Sequence, residues 1–205
     1  MNAKLITLIL VLCCGPFALA EARSAGTVAV HLLGGFTSTN YKQGGLGKVE
    51  SQMGLAFGLG IDFWVMPQLG IEIDFLNAQK NFELTPTGSS GKESYYLTYL
   101  QMPVLVKLMA SKNLHLKAGP YLGGLLISGF KEGSGSSSSV KDQFRNDYGV
   151  TVGAWLGTQT KKNLLIGVDL RYDFGLADLR NDNLPETTLY SRTLTTLLTL
   201  TFLFK

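Results

Sequence analysis

The sequence predicts an all-β protein, an eight-stranded antiparallel up-and-down β-barrel that crosses a membrane. Eight segments alternate apolar residues with polar residues or glycine, which is the two-residue period of a β-strand. Their connections alternate between long and short, as in bacterial outer-membrane barrels. The predicted strands, at about 11–15 residues, are longer than the usual strands of soluble proteins and are long enough to cross a bilayer at a tilt.

The first twenty residues are set apart as a secretory signal. Met1–Lys4 is short and positively charged, Leu5–Leu12 is almost wholly apolar, and Ala18–Leu19–Ala20 has the small-x-small pattern of a cleavage site. We therefore expect a cleaved signal peptide over residues 1–20 and one barrel domain over residues 21–205. A membrane-anchoring helix is the alternative, but the apolar stretch is shorter than the roughly 20 residues that span a bilayer.

Both cysteines, Cys13 and Cys14, lie within the signal. A lipid anchor on one of them is a further alternative, disfavoured because Leu12 stands where a small residue is expected. The mature chain then has no cysteine, which excludes disulfides and cysteine metal sites. Without Lys4 the chain has a net charge of about +2 and no clustered basic patch, so we expect no nucleic-acid binding.

In chain order, the first four predicted strands each have one apolar face. The strands cover Gly26–Phe36, Gln52–Val65, Leu69–Phe82 and residues 95–109. Their apolar faces carry Val28, Val30, Leu32 and Phe36; Met53, Leu55, Phe57, Leu59, Ile61, Phe63 and Val65; Leu69, Ile71, Ile73 and Phe75; and Leu100, Met102, Val104, Val106 and Leu108.

The last four predicted strands repeat the pattern. They cover residues 114–127, Asp147–Thr160, Leu164–Ala177 and Leu189–Lys205. Their apolar faces carry Leu114, Leu116, Ala118, Leu122 and Leu126; Tyr148, Val150, Val152 and Leu156; Ile166, Val168, Leu170, Tyr172 and Phe174; and Leu194, Leu198, Leu200, Phe202 and Phe204.

The predicted connections alternate in length along the chain. Long loops are expected at 37–51, 83–92, 129–146 and 178–188, and tight turns at 66–68, 110–113 and 161–163. In outer-membrane barrels the tight turns are periplasmic and the longer loops external. Aromatic residues near strand ends fit the interfacial belts of such barrels: Phe36, Phe63, Phe75, Tyr96, Tyr148, Tyr172, Phe174, Phe202 and Phe204.

Three segments also resemble a known family. The pattern YLxxPVLVK from Tyr99, followed by LxxKAGPYLGGLL from Leu114, resembles the PorT-type, OmpX-like outer-membrane β-barrel domains of Gram-negative bacteria. The resemblance continues in Asp147–Gly157, Leu170–Ala177 and the closing LTLTFLF. Gln101 departs from the family pattern, in which an acidic residue is commoner two positions before the proline, here Pro103. The resemblance implies the outer membrane and the barrel-assembly machinery as a biogenesis partner.

The inward strand faces carry charges that must pair if the interior is dry. An eight-stranded barrel is just wide enough for side chains to fill. We therefore expect a structural charge network inside the barrel, which includes His115, and a proton or ion path is the alternative. The candidate residues are Asp62, Glu72, Asp74, Lys107, Lys117, Asp169, Arg171 and Asp173.

No residue pattern points to catalysis or to a cofactor. His31 and His115 are far apart in sequence, and neither has a serine or carboxylate at a spacing typical of nucleophilic catalysis or metal binding. The glycine pairs precede no predicted helix, which argues against a phosphate-binding loop. We therefore expect a protein that is not an enzyme and has no catalytic, cofactor-binding or metal-binding residue.

What remains for function is the external loops, since loops on a rigid scaffold commonly bind partners. The candidate contacts are Tyr41, Lys42, Lys131, Phe144 and Arg145, and simple solvation of these loops is the alternative. Basic residues there could contact lipopolysaccharide phosphates or an unknown extracellular or envelope partner.

The sequence therefore predicts a non-enzymatic outer-membrane barrel of a Gram-negative bacterium with a structural or surface-interaction role. The family resemblance allows an accessory role in secretion. The alternative is a soluble periplasmic, lipocalin-like barrel with its apolar face inward, binding a small apolar ligand. Long strands and the concentration of charge and glycine on one strand face disfavour it.

Overall fold

A computed structural model describes residues 25–43, 47–86, 91–132, 138–139, 143–180 and 188–204. The predicted signal peptide over residues 1–20 lies outside these ranges. Within them, no helix has the length and apolar character needed to cross a membrane.

Eight long antiparallel strands form the barrel wall. The wall strands are β1 (Val28–Gln43), β3 (Met53–Trp64), β4 (Leu69–Gln79), β6 (Glu93–Ser111), β7 (Leu114–Glu132), β9 (Asp147–Lys161), β10 (Leu164–Gly175) and β11 (Leu189–Phe204). Neighbouring strands pair in the order β6-β4-β3-β1-β11-β10-β9-β7, and β6 also pairs with β7, so the sheet closes on itself. This is the predicted eight-stranded barrel.

Three short strands lie where the sequence predicts loops. They are β2 (Gly47–Ser51), β5 (Phe82–Pro86) and β8 (Ser138–Ser139). Strand β2 pairs with β5, β5 pairs with the start of β6, and β8 pairs with β7. Together with the far ends of β6 and β7 they form a five-stranded sheet that continues the wall beyond the barrel. We call this sheet, β2-β5-β6-β7-β8, the external extension.

The predicted strand bounds differ from the structure mainly at the long-loop end. Strand β1 continues to Gln43 because it keeps its ladder with β11, from Val28–Phe204 through Gln43–Leu189. Its ladder with β3 stops earlier, at Ser38–Met53. The polar residues of this segment, which the sequence predicts as a loop, therefore continue the strand, because main-chain hydrogen bonds to one neighbouring strand are enough to extend β1.

The barrel is inside-out relative to a soluble protein. Strand β10 alternates strictly, with Ile166, Val168 and Leu170 exposed and Asp169 and Arg171 buried. Every aromatic residue predicted for the interfacial belts has its side chain on the outer surface, at 36–55% exposure. The apolar surface therefore faces the surroundings of the barrel, as membrane burial requires.

Candidate functional site

The centre of the barrel interior is an ion cluster built around Glu72. This carboxylate accepts hydrogen bonds from Lys107 (2.7 Å), Lys117 (2.5 Å) and Arg171 (3.0 Å). Lys107 also donates to Asp62 at 2.8 Å, and all these side chains are almost fully buried. Buried charges are tolerated only when paired in this way, because desolvation costs several kcal/mol per ion.

Arg171 extends the cluster across the lumen. Its Nη1 donates to Asp74 at 2.5 Å, and its Nε and Nη2 donate to Asp169 at 2.9 and 2.6 Å. Lys117 donates to the same Asp169 oxygen at 2.5 Å. These five side chains tie three strands together, since Glu72 and Asp74 come from β4, Lys117 from β7, and Asp169 and Arg171 from β10.

His31 joins the cluster although the sequence did not single it out for this role. Its Nε2 lies 2.7 Å from Asp74, and its Nδ1 lies 3.9 Å from Asp62. The period of two could have found it, because His31 shares the inward face of β1 with Ala29 and Leu33.

One group in the cluster has donor atoms that could hold a metal ion. Ligand atoms of His31, Asp62 and Glu72 lie within 4.8 Å of one another. The Lys107 ammonium donates to both carboxylates, so a cation is already supplied by the chain. A cavity that has room for about one water molecule lies beside this group and is lined by His31, Glu72 and Lys107 together with Trp155 and Thr199.

Asp173 lies apart from the ion cluster to which the sequence assigned it. Its two oxygens accept hydrogen bonds from Gln101 (2.8 Å) and Thr151 (2.7 Å), which are neutral donors. The position of Gln101 gives a physical reason for its departure from the family pattern: an acidic residue there would face the Asp173 carboxylate.

The short-turn end of the interior is filled by stacked rings. His115 stacks on Trp155 with 4.6 Å between ring centroids and meets the edge of Trp64 at 5.5 Å. Trp155 donates from Nε1 to Thr199 at 2.7 Å. It lies against the backbone of Gly167, where a Cβ would be 2.5 Å from Cε2, so this position requires glycine.

The opposite end of the lumen holds a second polar cluster that sequence reasoning missed. Lys80 donates to Asp147 at 2.6 Å, and Tyr121 and Ser191 donate to the same oxygen at 3.1 and 2.9 Å. Lys80 Nζ also lies over the Tyr121 ring, 5.0 Å from its centroid. The two-residue period could have found both residues, because Asp147 lies on the inward face of β9 and Lys80 continues the inward alternation of Glu72 and Asp74 in β4.

An apolar plug closes the barrel above this second cluster. Its buried members come from β5, β6, the segment after β10, and β11: Phe82, Leu84, Leu97, Tyr99, Ala177, Leu179 and Leu189. Tyr41 and Phe144 pack against it, and both rings contact Phe82, at 4.7 and 6.2 Å. Tyr41 also donates to the Lys80 carbonyl at 2.8 Å.

Two expected loop contacts are therefore placed differently by the structure. Tyr41 lies in β1 and Phe144 folds inward, because burial of each ring in the plug removes apolar surface from water. Lys42 and Arg145 are exposed and Lys131 is half-buried, all at the long-loop end.

The external extension carries a network of paired charges on its outer face. Lys48 lies 2.6 Å from Glu50, and Lys92 lies 3.4 Å from Glu50 and 3.3 Å from Glu83. The hydrogen bond from Lys48 lowers the pKa of Glu50, and the hydrogen bond to Glu83 raises the pKa of Lys92. Glu50 and Glu83 are direct cross-strand neighbours, so Lys92 bridges two like charges.

Buried charged side chains in the lumen and an apolar outer surface are typical of a membrane barrel. A comparison of the sequence with protein-family models gives the same result. The model of the outer membrane protein beta-barrel domain matches residues 19–181. The chain belongs to this family. As a member it is a β-barrel of the bacterial outer membrane, and the soluble, lipocalin-like alternative is wrong, because the aliphatic faces point outward and the charges inward.

A comparison with solved structures finds similar outer-membrane proteins. The outer membrane protein OprG from Pseudomonas aeruginosa is similar with a TM-score of 0.52 and 10% identity, covering 90% of this chain and 99% of that chain. The Neisserial surface protein A has a TM-score of 0.48 at 10% identity, covering 86% and 98%. Ail of Yersinia pestis, in complex with the heparin analogue sucrose octasulfate, has a TM-score of 0.47 at 17% identity, covering 87% and 99%.

At these low sequence identities, the similarity bears on the fold alone. No curated protein matches the chain.

Proposed function

We propose that this protein is a non-enzymatic, sealed barrel with a structural or surface-interaction role carried by its long-loop end. The observation that supports this most directly is the filled interior. Stacked rings, the ion cluster, the second polar cluster and the apolar plug succeed one another along the lumen. We propose for the charged residues the structural role that the sequence suggested, rather than an ion path.

The surroundings of the two histidines support a non-catalytic interior. His31 is held by Asp74, and His115 stacks on Trp155. Both rings are buried, at 3% and 1% exposure, so a substrate from solution would have to displace the packed lumen to reach either. General acid–base work requires a group within hydrogen-bond reach of a substrate.

The external extension supports a role at the cell surface. Its inner face contributes Leu84 to the plug, and Val49 and Tyr95 pack against the plug, which anchors the sheet to the barrel. Its outer face presents Lys48, Glu50 and Lys92 to the surroundings. An anchored sheet with mixed surface charge can present a polar binding surface to another envelope component or an outside protein. An accessory role in secretion, suggested by the PorT-type resemblance, is one form of this proposal.

The sealed lumen is tested by single-channel recording of the folded protein in planar bilayers. We expect no discrete conductance steps, because the ion cluster and plug occupy the path. Reproducible steps from the wild-type protein, abolished by enlarging side chains in the plug, would contradict a sealed barrel.

The surface role is tested by site-specific photo-crosslinking in cells that produce the full chain. A crosslinking residue replaces Lys131 or Arg145 at the long-loop end, and Lys162 at the short-turn end serves as the matched control. We expect adducts with envelope or external proteins from the first two positions. Adducts from position 162 alone would place the partner in the periplasm and overturn the proposal.

A further inference from the structure

Four polar side chains form a compact group on the outer face of the β1–β11 ladder. Asn40 pairs directly with Arg192, and Lys42 pairs directly with Tyr190. Their strand neighbours Thr39, Ser191 and Thr193 are buried, so the four alternate to the outward face. We call Asn40, Lys42, Tyr190 and Arg192 the rim group.

The rim group lies at the upper edge of the lipid-facing apolar surface. Two residues below Arg192 on β11 is Leu194, which is 48% exposed, and two residues correspond to about 7 Å of strand. On the neighbouring strand, Phe174 pairs with Arg192 and Tyr172 pairs with Leu194. Aromatic residues at this level mark the membrane–water interface. The cations of the rim group therefore stand at headgroup depth.

Arg192 is held in place by contacts at its own level and one residue further toward the long-loop end. Its Nη1 donates to the carbonyls of Gly175 (2.6 Å) and Ser191 (3.1 Å), and its guanidinium lies 5.6 Å from the centroid of Phe174. Among the described residues, Nε and Nη2 have no hydrogen-bond partner. The guanidinium is thus positioned with donors to spare.

Lys42 and Arg192 differ from the lysines of the external extension in having no acidic partner among the described residues. Within the described ranges, no carboxylate lies at salt-bridge distance from Lys42 or Arg192, whereas Lys48 and Lys92 both pair with Glu50. Asn40 and Tyr190 are neutral and can donate hydrogen bonds. The rim group therefore offers hydrogen-bond donors and two cations that no described carboxylate neutralises, at the depth of lipid phosphates.

We propose that the rim group binds a phosphate group of lipid A, the membrane anchor of lipopolysaccharide, in the outer leaflet. Arginine suits two-point recognition of phosphate and lysine adds a compact charge. Aromatic residues directly below would contact the acyl region of the same lipid. This inference goes beyond the surface role proposed above, because it assigns a ligand class to a different face of the molecule.

Binding is measured by titrating lipid A into the folded mature protein in neutral detergent. After heating to a series of temperatures, each sample is run on a gel, where the folded barrel migrates as a separate band. The measured quantity is the temperature at which this folded band disappears. We expect lipid A to raise this temperature, and dephosphorylated lipid A to raise it much less. The doubly substituted variant K42Q/R192Q should need about thirtyfold more lipid A for the same shift, given the size of two lysine or arginine contacts with anionic lipid.

The matched control is K161Q/K162Q, which removes two lysines from the short-turn end and should respond like the wild type. Because Arg192→Gln also removes the Gly175 contact, Lys42→Gln and the charge-conserving Lys42→Arg are tested alone. We expect a weakened response for the first and a wild-type response for the second. An unchanged response of K42Q/R192Q, or an equal effect of phosphatidylglycerol, would overturn the assignment to lipid A phosphate.

Discussion

At the scale of single residues, the interior is organised by Glu72. Three cations from β6, β7 and β10 donate to its carboxylate, so it neutralises charge from several strands at once. A buried ion pair is weak support for stability as a whole, but removal of one member leaves uncompensated charge. The cluster should therefore tolerate the loss of a whole pair better than the loss of its central acid.

Replacement of Glu72 by Gln should lower the free energy of unfolding by about 3–5 kcal/mol, because three buried cations lose their shared carboxylate. Urea unfolding of the protein folded in lipid vesicles measures this change. Glu83→Gln on the external extension is the control and should have little effect, since its pair with Lys92 is at the surface. Equal effects of the two variants would show that the cluster does not stabilise the barrel.

Gln101 gives a second prediction at this scale. Gln101→Glu should cost about 1–3 kcal/mol, because the amide that donates to Asp173 becomes a second buried carboxylate. The same urea experiment measures the cost. The swapped pair Q101E/D173N restores one amide and one carboxylate and should recover most of the loss; no recovery would contradict the proposed pairing.

At the scale of elements, each wall strand separates two environments. The alternation in β9 and β10 places Leu156 and Val168 outward and Trp155 and Asp169 inward. A one-residue shift of register would exchange the two faces, so the pattern fixes the register strongly. The interior is also crowded: a Cβ on Gly58 would overlap the carbonyl of Phe75, so lysine cannot be accommodated there as it could in a wide, wet lumen.

Lysine on the lipid-facing side of β10 tests this orientation. Val168→Lys should cost about 2–4 kcal/mol, because it places a charge near the bilayer midplane. Thr158→Lys on the adjacent β9 is the matched control, since Thr158 is exposed toward the short-turn end, and its cost should be about 0–1 kcal/mol. Unfolding in vesicles of increasing thickness distinguishes the two, and equal costs would place both sites at the same depth.

At the scale of the whole molecule, closure of the sheet explains how strands can cross a membrane. The β6–β7 ladder joins the two ends of the wall, leaving no open barrel edge at membrane depth. In the part of the chain that the structure describes, the free sheet edges are β2 and β8, both in the external extension, where water can satisfy the backbone. The molecule thus combines a closed membrane part with an open-edged surface part.

Fractionation with gel analysis tests the whole-molecule description. The mature protein should partition into the outer membrane, and its mobility should change on boiling, because the closed barrel resists detergent until heated. Recovery in the soluble periplasm with no mobility change would contradict the membrane barrel.

The sequence by itself determined the barrel, the number of wall strands and the face of each strand. It could do so because the period of two is local, and because the alternation of long and short connections is visible along the chain. The inward charges Glu72 and Lys107 were predictable for the same reason. Lys80 was predictable by the same rule, because it continues the inward alternation of β4, whereas Tyr41 was expected in a loop because the residues after Phe36 are polar although β1 continues through them.

Only the tertiary structure decided which partners meet. Sequence parity places Asp173 and Arg171 on one face, but closure of the barrel sets Asp173 against Gln101 and Arg171 against Asp74. The inward turn of Phe144 and the pairing of Asn40 with Arg192 likewise depend on contacts across 30 residues or more of chain. Such contacts follow from the register of a closed sheet, which is a property of all its strands together and of no segment alone.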